Sequence, residues 1–405
     1  MQSGNPGRYE RMRTVTGLKR TIPLLSLGNK ALKVLPLSVI WYLRHLLGHE
    51  KLTESNGKYI INSFLPPFPS RAFERLITNI SDSYHHALRL HSAHLALTHA
   101  CGFSCWHCSK AHREEKGISA EKWIETIKEL QEMGACMIGF TGGEPLYRND
   151  LEVILESVGS GSASILFTTG DGLDEKRARR LKKAGLNYIA ISLDHCSKEE
   201  HNRLRGSAHA FTIAMSAIQH SVENEFYTAV QLTARKEIIN PQFLSKYLNF
   251  VSSLGIQEVR ILEPMPTGAL INGRDDIFLT EKERAIIKDF FREANKVAAL
   301  PKVNALTSIE GRYVGGCAAG AQHLYIDASG NVCPCDFVPL SFGNILNESL
   351  AVVFQGLGRY FNKPRDKCFI SNNIDTLRPY FEKNLPLSRE DSRKICTMCM
   401  EELRR

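Results

Sequence analysis

Glycine and proline, 29 and 16 among 405 residues, are too few in this chain for a collagen-like or low-complexity fibrous protein. Charged residues make up only 23% against 43% hydrophobic, so an intrinsically disordered chain is excluded as well. The N-terminus lacks a short apolar run closed by a small-residue cleavage site, so no secretory signal is expected and the setting is read as cytoplasmic. The first fifty residues are short of negative charge. Glu10 and Glu50 stand there against Arg8, Arg11, Arg13, Lys19, Arg20, Lys30, Lys33 and Arg44, so six of the eight net positive charges lie in that stretch. The rest of the chain is nearly neutral, which argues against a broad nucleic-acid-binding face. Its length admits one large domain or two to three smaller ones, with core enough to need no covalent staple.

Cysteine is what the chain does have, 11 copies in groups: Cys101, Cys105 and Cys108, then Cys136 and Cys196, then Cys317, Cys333, Cys335, Cys368, Cys396 and Cys399. An odd count in a long chain is not the pattern of a secreted disulfide scaffold, so metal-directed thiolates are the better reading.

Three regions are expected. Residues 1–90 form an N-terminal extension. Within it, Ile22–Leu47 is apolar but carries Lys30, Lys33, Pro36 and Arg44, and its longest uncharged run, Val34–Leu43, is half of the roughly 20 residues a membrane span requires. Residues 20–47 therefore read as a basic amphipathic helix that packs on the catalytic domain or lies peripherally on a membrane surface. Tyr59–Ser70 is a short extended run ended by prolines, and Arg71–Leu90 is helical in character.

Residues 91–270 alternate strand and helix. The expected strands are His94–Thr98, Met137–Thr141, Ser164–Thr169, Tyr188–Leu193, Thr228–Thr233 and Glu258–Leu262. Helical stretches such as Ala120–Met133, Asp174–Ala184 and Pro241–Leu254 lie between them, stopped by Gly134, Gly185 and Gly255. This pattern predicts an α/β fold, a partial (β/α)6 TIM-type barrel with its chemistry on the rim after the strand C-termini. Residues 271–405 begin with a helix at Thr280–Ala298 and continue into a cysteine-rich region with a hairpin at His323–Asp327 and Asn331–Cys333. It is expected to be a small domain organised by metal more than by a large core.

Cys101-Gly-Phe-Ser-Cys105-Trp-His-Cys108 follows the first strand directly. Three thiolates within eight residues can wrap one face of a cubane cluster and leave the fourth iron open to a ligand. A structural zinc would need a fourth donor, which His107 cannot easily supply from beside Cys108. Thr141-Gly142-Gly143-Glu144-Pro145 follows the second strand, and its glycines permit close backbone approach while carbonyls and a carboxylate can accept from an ammonium. The third strand ends in Thr168-Thr169-Gly170-Asp171. The fourth reads Ser192-Leu193-Asp194-His195, followed by His201-Asn202-Arg203-Leu204-Arg205-Gly206.

This set resembles the radical S-adenosylmethionine (radical SAM) superfamily: C-x3-C-x2-C after strand one, GGEP after strand two, and a run similar to S-L-D-G with H-D-x-x-R-G after strand four. His195 stands where the family has Gly, and Asn202 where it has Asp. The resemblance implies a [4Fe–4S] cluster on Cys101, Cys105 and Cys108 whose open iron is chelated by S-adenosylmethionine, with Gly142, Gly143, Glu144, Thr169, Ser192 and Arg205 as cofactor-binding positions. Gln231, Leu232, Glu263 and Pro264 fall where the family packs adenine or lines the substrate cavity. It further implies reductive cleavage of S-adenosylmethionine to a 5′-deoxyadenosyl radical that abstracts hydrogen from an unactivated C–H bond. A one-electron donor such as flavodoxin or ferredoxin is implied as partner.

The C-terminal cysteines resemble a SPASM or twitch auxiliary-cluster domain. Gly330-x4-Cys335 fits its G-x4-C element, and the resemblance assigns one auxiliary [4Fe–4S] cluster to Cys317, Cys335, Cys396 and Cys399. Cys368 is an alternative to any of the four, and Cys333 is additional. Only six residues follow Cys399, so a second auxiliary cluster is not expected. Family analogy favours a peptide or protein substrate, with an apolar, lipid-like one next because of the basic N-terminus. Asp194, His201, Glu263 and Asp336 are conceivable acid–base groups, none preferred. The competing class is a zinc-stapled, non-enzymatic scaffold on a degenerate barrel.

Overall fold

A computed structural model describes residues 12–15, 20–21, 23–25, 28, 32–47, 50–85, 89–111, 113, 115, 117–305, 316–381 and 385–402. Arg8, Arg11, Lys19 and Lys30, four of the basic residues behind the expected N-terminal charge, lie outside them. Near the N-terminus, β1 (Arg13–Val15), β2 (Leu52–Ser55) and β3 (Lys58–Ile60) form a small antiparallel sheet. The main sheet starts with six parallel strands: β4 (Ser92–Thr98), β5 (Met137–Gly142), β6 (Ala163–Thr168), β7 (Tyr188–Ser192), β8 (Tyr227–Thr233) and β9 (Glu258–Leu262). These are the six expected strands, shifted by at most two residues at any end.

The intervening helices form for local reasons. Ser119, Asp174, Ser197 and Asn240 each accept a backbone N–H at the N-terminus of the helix they precede. Those at Ala120–Glu132, Glu175–Lys183 and Pro241–Ser253 bury an apolar face, with Trp123, Ile127 and Leu130 wholly enclosed in the first. The sheet is open and continues beyond the six-strand unit at both edges. β10 (Lys302–Ala305) adds parallel to β9, and β11 (His323–Ile326) adds parallel to β4, with β12 (Val332–Cys333) antiparallel outside it.

The hairpin is therefore as expected, but its placement against the first strand is not visible in the sequence. The C-terminal region also departs from the expectation of a metal-organised domain with little core. Leu324, Val332, Leu340, Phe342, Val353, Leu357, Phe361, Ile370 and Ile395 are buried in the same continuous apolar cluster as the sheet–helix interface.

The N-terminal extension closes the sheet's far end, at the starts of the strands. Ile60 packs with Met137, Ala163, Tyr188 and Tyr227. The backbone N–H and Oγ of Ser63 both donate to Glu258, each at 2.8 Å, and Tyr227 Oη donates to the same carboxylate at 2.9 Å. Lys302 Nζ donates to the Ile60 carbonyl at 3.2 Å and to that of Ile61, Tyr188 Oη reaches the Leu65 carbonyl at 3.0 Å, and Arg260 stacks on Phe64 at 3.9 Å. Residues 60–65 thus form a plug with satisfied polar groups, and the opposite rim carries the loops. Of the amphipathic helix expected over residues 20–47, a helix at Leu37–Leu47 is described, with a turn at residues 32–34 before it.

Candidate active site

β4 carries a register shift against β5 between Ala96 and Thr98, and the three-cysteine loop begins three residues beyond, at Cys101. The loop is pinned on three sides. Ser104 N–H donates to the Arg205 carbonyl at 3.1 Å, Trp106 N–H to Leu204 at 3.2 Å, and Ala269 N–H to Cys108 at 2.9 Å. Gly206, at φ 61°, ends the helix Lys198–Arg205 in the left-handed region, and a Cβ there would stand 2.5 Å from the Ser104 carbonyl.

The glycine notch of the GGEP run does the same on the other side. A Cβ on Gly142, at φ +141°, would lie 2.1 Å from the Thr98 carbonyl, and one on Gly143 would lie 2.3 Å from that of Ala100. The close approach these glycines allow is taken by the backbone of residues 98–100, the lead-in to the three-cysteine loop. The Glu144 side chain is likewise committed within the fold. It is fully buried and accepts Thr168 Oγ1 at 2.6 Å, Thr169 N–H at 2.7 Å, Leu146 N–H at 3.1 Å, and Thr169 Oγ1. Burial pushes its carboxyl up to about 7 against those four donors. Glu144 and Thr169 thus tie the second rim loop to the third, which differs from the sequence expectation that the carboxylate faces an ammonium.

Arg205 is buried beneath the loop. Its Nε pairs with Asp194 Oδ2 at 2.7 Å and its Nη1 approaches Cys105 Sγ at 3.7 Å. Asp194 is inaccessible to solvent and accepts the Thr233 N–H at 2.9 Å. Burial opposes its ionisation, but the Arg205 guanidinium outweighs that and holds the carboxyl below its usual range. His201 Nδ1 accepts the Asp194 N–H at 3.1 Å and burial lowers its pKa to about 4, so it is neutral. His107 is also neutral, lowered to about 4 by burial, with Nε2 3.2 Å from Thr233 Oγ1. Ser192 is half-buried at the end of β7, and Tyr147 Oη donates to Asp171 at 2.5 Å beside Gly102. Glu263 is held by Arg284 at 3.0 Å.

A second group faces the sheet interior where β4 meets β11, and the sequence offered only Asp336 from it. His94 Nδ1 lies 3.0 Å and His323 Nε2 3.1 Å from Asp336 Oδ2, and Ser92 Oγ lies 2.8 Å from His323 Nδ1. Lys110 Nζ stands 4.0 Å from Asp336 Oδ1 and 3.7 Å above the Tyr325 ring, with Arg113 5.2 Å from that ring and 4.0 Å from Asp327. Burial works against ionisation of Asp336, yet His94, His323 and Lys110 keep its carboxyl well below the usual range. His94, His323 and Asp336 come within 4.8 Å of one another, a spacing that suits a metal ion. The ammonium of Lys110 already balances the single carboxylate, so a dication there would meet repulsion. Lys110 and Arg113 instead clamp the loop of the first three cysteines to the hairpin that precedes Cys335.

The C-terminal cysteines converge from separate elements. Cys396 and Cys399 lie one turn apart on the helix Arg389–Glu402, both buried, and Cys317 is buried where its backbone pairs with Arg365. Cys335 occupies a turn and accepts the Phe337 N–H at 3.5 Å. Cys136 is a core residue whose thiol donates to the His91 carbonyl at 3.2 Å. None of the 11 cysteines forms a disulfide. Among the described residues, no three thiols come within 4.8 Å of one another. Tetrahedral zinc with Zn–S near 2.3 Å would need them about 3.8 Å apart. Three thiols on one loop, and further thiols from separate C-terminal elements, are donor sets that iron–sulfur clusters can take.

The known proteins agree. Residues 95–234 match the radical SAM superfamily and residues 317–400 match an iron–sulfur cluster-binding domain of the SPASM type. The fold is similar to SuiB of Streptococcus suis, solved with its precursor peptide SuiA, at TM-score 0.55 and 13% identity over 70% of this chain and 69% of that one. It is also similar to anSMEcpe, solved with bound AdoMet, at TM-score 0.55 and 18% identity over 76% of this chain and 92% of that one. A further structure of anSMEcpe, with AdoMet and the Cp18Cys peptide, gives TM-score 0.54 and 18% identity over 75% and 95%. The chain belongs to the radical SAM superfamily and carries a C-terminal SPASM domain. It is a radical SAM enzyme whose cofactors are S-adenosylmethionine, a [4Fe–4S] cluster and auxiliary iron–sulfur, and the scaffold alternative is set aside.

Proposed function

We propose that Cys101, Cys105 and Cys108 hold the S-adenosylmethionine-binding cluster and that the enzyme abstracts hydrogen from an unactivated C–H bond of a peptide or protein. The observation that carries the site assignment is the pinned loop, fixed by the Leu204 and Arg205 carbonyls, the Ala269 N–H and the Gly142–Gly143 notch. S-adenosylmethionine bound there would supply a 5′-deoxyadenosyl radical, with methionine as the other fragment, on one-electron reduction by a donor such as flavodoxin or ferredoxin.

The chain's own residues do the rest. Arg205 donates to Cys105 and neutralises thiolate charge, while Asp194 holds the guanidinium in place. The plug at residues 60–65 excludes water from the far end, so a substrate enters at the rim. Gly142, Gly143 and Ser192 present backbone and hydroxyl groups to the cofactor, and Glu144 with Thr169 positions the loops around it.

The likeness in fold to SuiB with a precursor peptide and to anSMEcpe with a peptide supports a polypeptide substrate. Anaerobic turnover with S-adenosylmethionine and dithionite tests it. Soluble polypeptide fractions of the host should raise 5′-deoxyadenosine formation above the basal rate, and stimulation by lipid extract alone would contradict the proposal.

One observation favours a second reading. Leu25, Leu32, Val34, Leu37 and Trp41 are all exposed, the last two at 74% and 70%, within 17 residues of the basic N-terminal stretch. Such a face suits peripheral contact with an anionic membrane, and with it a lipid-like substrate. No helix among the described residues is long and apolar enough to cross a membrane.

A further inference from the structure

Side chains alternate along β4. Ala93, Leu95 and Leu97 join the core between sheet and helices, so Ser92, His94 and Ala96 face the sheet interior. His94 is paired in register with Gly139 on β5, where a Cβ would stand 2.4 Å from Cδ2 and 3.0 Å from Nε2 of the imidazole. A glycine inside a strand is costly, and this one leaves the room that the ring occupies. The Phe167 ring meets the imidazole at 4.9 Å between centroids, with Arg260 5.0 Å from Phe167 on the side of the plug.

The polar atoms around Asp336 can be assigned one by one. An ionised carboxylate only accepts hydrogen bonds. His94 Nδ1, at 3.1 and 3.0 Å from the two Asp336 oxygens, therefore carries a proton, and so does His323 Nε2 at 3.1 Å from Oδ2. His323 Nδ1 is left to accept from Ser92 Oγ at 2.8 Å. Every nitrogen and oxygen of the three side chains His94, Asp336 and His323 is then committed except His94 Nε2. It has no hydrogen-bond partner among the described residues, and the His94 side chain is 24% exposed on this enclosed face. Burial lowers the His94 pKa, and His323 and Arg260 add to that against the pull of Asp336, so the ring is neutral and Nε2 keeps its lone pair.

We infer that His94 is a substrate-binding residue whose Nε2 accepts a hydrogen bond from a hydroxyl, thiol or N–H group of the polypeptide residue that enters the sheet interior. Asp336, backed by His323 and Ser92, is a positioning residue that fixes the tautomer and the plane of the ring. The inference rests on the polypeptide reading above and gives the target residue a chemical class, a side chain that carries a hydrogen-bond donor. A hydrocarbon side chain in the same place would desolvate Nε2 and leave it unpaired, which a site built around an acceptor rejects. The plug closes the strand starts, so the donor comes in from the rim.

Two measurements test this. In the full chain with isotope-labelled histidine, long-range proton–nitrogen correlation reads the tautomer of each ring, and His94→Gln supplies the assignment. The proton should sit on Nδ1 of His94 and on Nε2 of His323, and Asp336→Ala should let the His94 proton exchange between its two nitrogens. A His94 proton on Nε2 in the native protein, or a tautomer that Asp336→Ala leaves unmoved, would overturn the proposal. The reconstituted holoenzyme is then titrated with the soluble polypeptide fraction of the host under dithionite and S-adenosylmethionine. His94→Asn keeps a donor for Asp336 and lacks the acceptor, whereas His94→Gln puts an amide oxygen near the position of Nε2. The polypeptide concentration giving half-maximal 5′-deoxyadenosine formation should rise about tenfold in His94→Asn and recover in part in His94→Gln. In an enzyme that polypeptides stimulate, an unmoved half-saturation in His94→Asn, or a His94→Gln protein no better than His94→Asn, overturns this proposal alone. A native protein that polypeptides do not stimulate overturns the polypeptide reading, and this proposal with it.

Discussion

Arg205 and Asp194 show how the partners of a motif residue emerge only in the fold. The sequence pointed to Arg205 as a group for the cofactor, but the ion pair that holds it becomes visible only when β7 and the helix Lys198–Arg205 fold beside the cysteine loop. Arg205→Ala leaves a fully buried carboxylate unpaired and should cost about 3–5 kcal/mol in chemical denaturation of the apoprotein. Asp194→Asn on that background should recover part of the loss. Asp194 also gives a pH signature. Its pKa is depressed in the folded state, so its contribution is present above the ordinary carboxylate range and is lost as pH falls through the lower folded value. Acid destabilisation should therefore be shallower in Asp194→Asn than in the native apoprotein. Glu144 was legible as a site residue, but its four donors lie on itself and the next rim loop, a pairing that no local spacing reveals. Glu144→Ala should cost about 2–4 kcal/mol through the donors it leaves buried and unsatisfied.

At the scale of elements, the six parallel strands and their helices were legible because apolar runs of five to seven residues alternate with capped amphipathic stretches, a signal that is wholly local. The plug was not legible. Ser63 and Glu258 are 195 positions apart, and neither Tyr59–Ser70 nor the start of β9 carries a pattern that names the other. The same holds for β11, four residues long, whose parallel pairing with β4 spans more than two hundred positions. Lys302 is the element's most sensitive point, since it joins β10 to the plug carbonyls and faces Glu258 and Glu50. Lys302→Met should destabilise the fold by about 3–5 kcal/mol in a denaturant titration. Deleting residues 1–49 removes β1 and takes Met12 and Val15 from the clusters that hold Ile60 and Ile61, so its denaturation midpoint should fall below that of the full chain.

Across the whole molecule, one continuous core joins barrel-type sheet and SPASM region, so the two cysteine sites are held in a fixed relation by β11 and the Lys110–Tyr325–Arg113 stack. The cysteine spacing announced both sites, whereas the clamp between them depends on residues that look ordinary in sequence. The exposed Leu37 and Trp41 belong to this scale too. If that face meets an anionic bilayer, Leu37→Glu/Trp41→Glu should reduce co-flotation with phosphatidylserine-containing vesicles several-fold without changing the denaturation midpoint. The central claim is that the pinned three-cysteine loop holds the cluster at which S-adenosylmethionine is cleaved. The most direct measurement is 5′-deoxyadenosine formed under dithionite, with iron per chain, for the native protein and for Cys101→Ala/Cys105→Ala/Cys108→Ala. The account predicts about eight irons and cleavage in the native protein, and about four irons with no cleavage in the variant. Cleavage that survives loss of the three cysteines, or a native protein that binds zinc in place of iron, would contradict it.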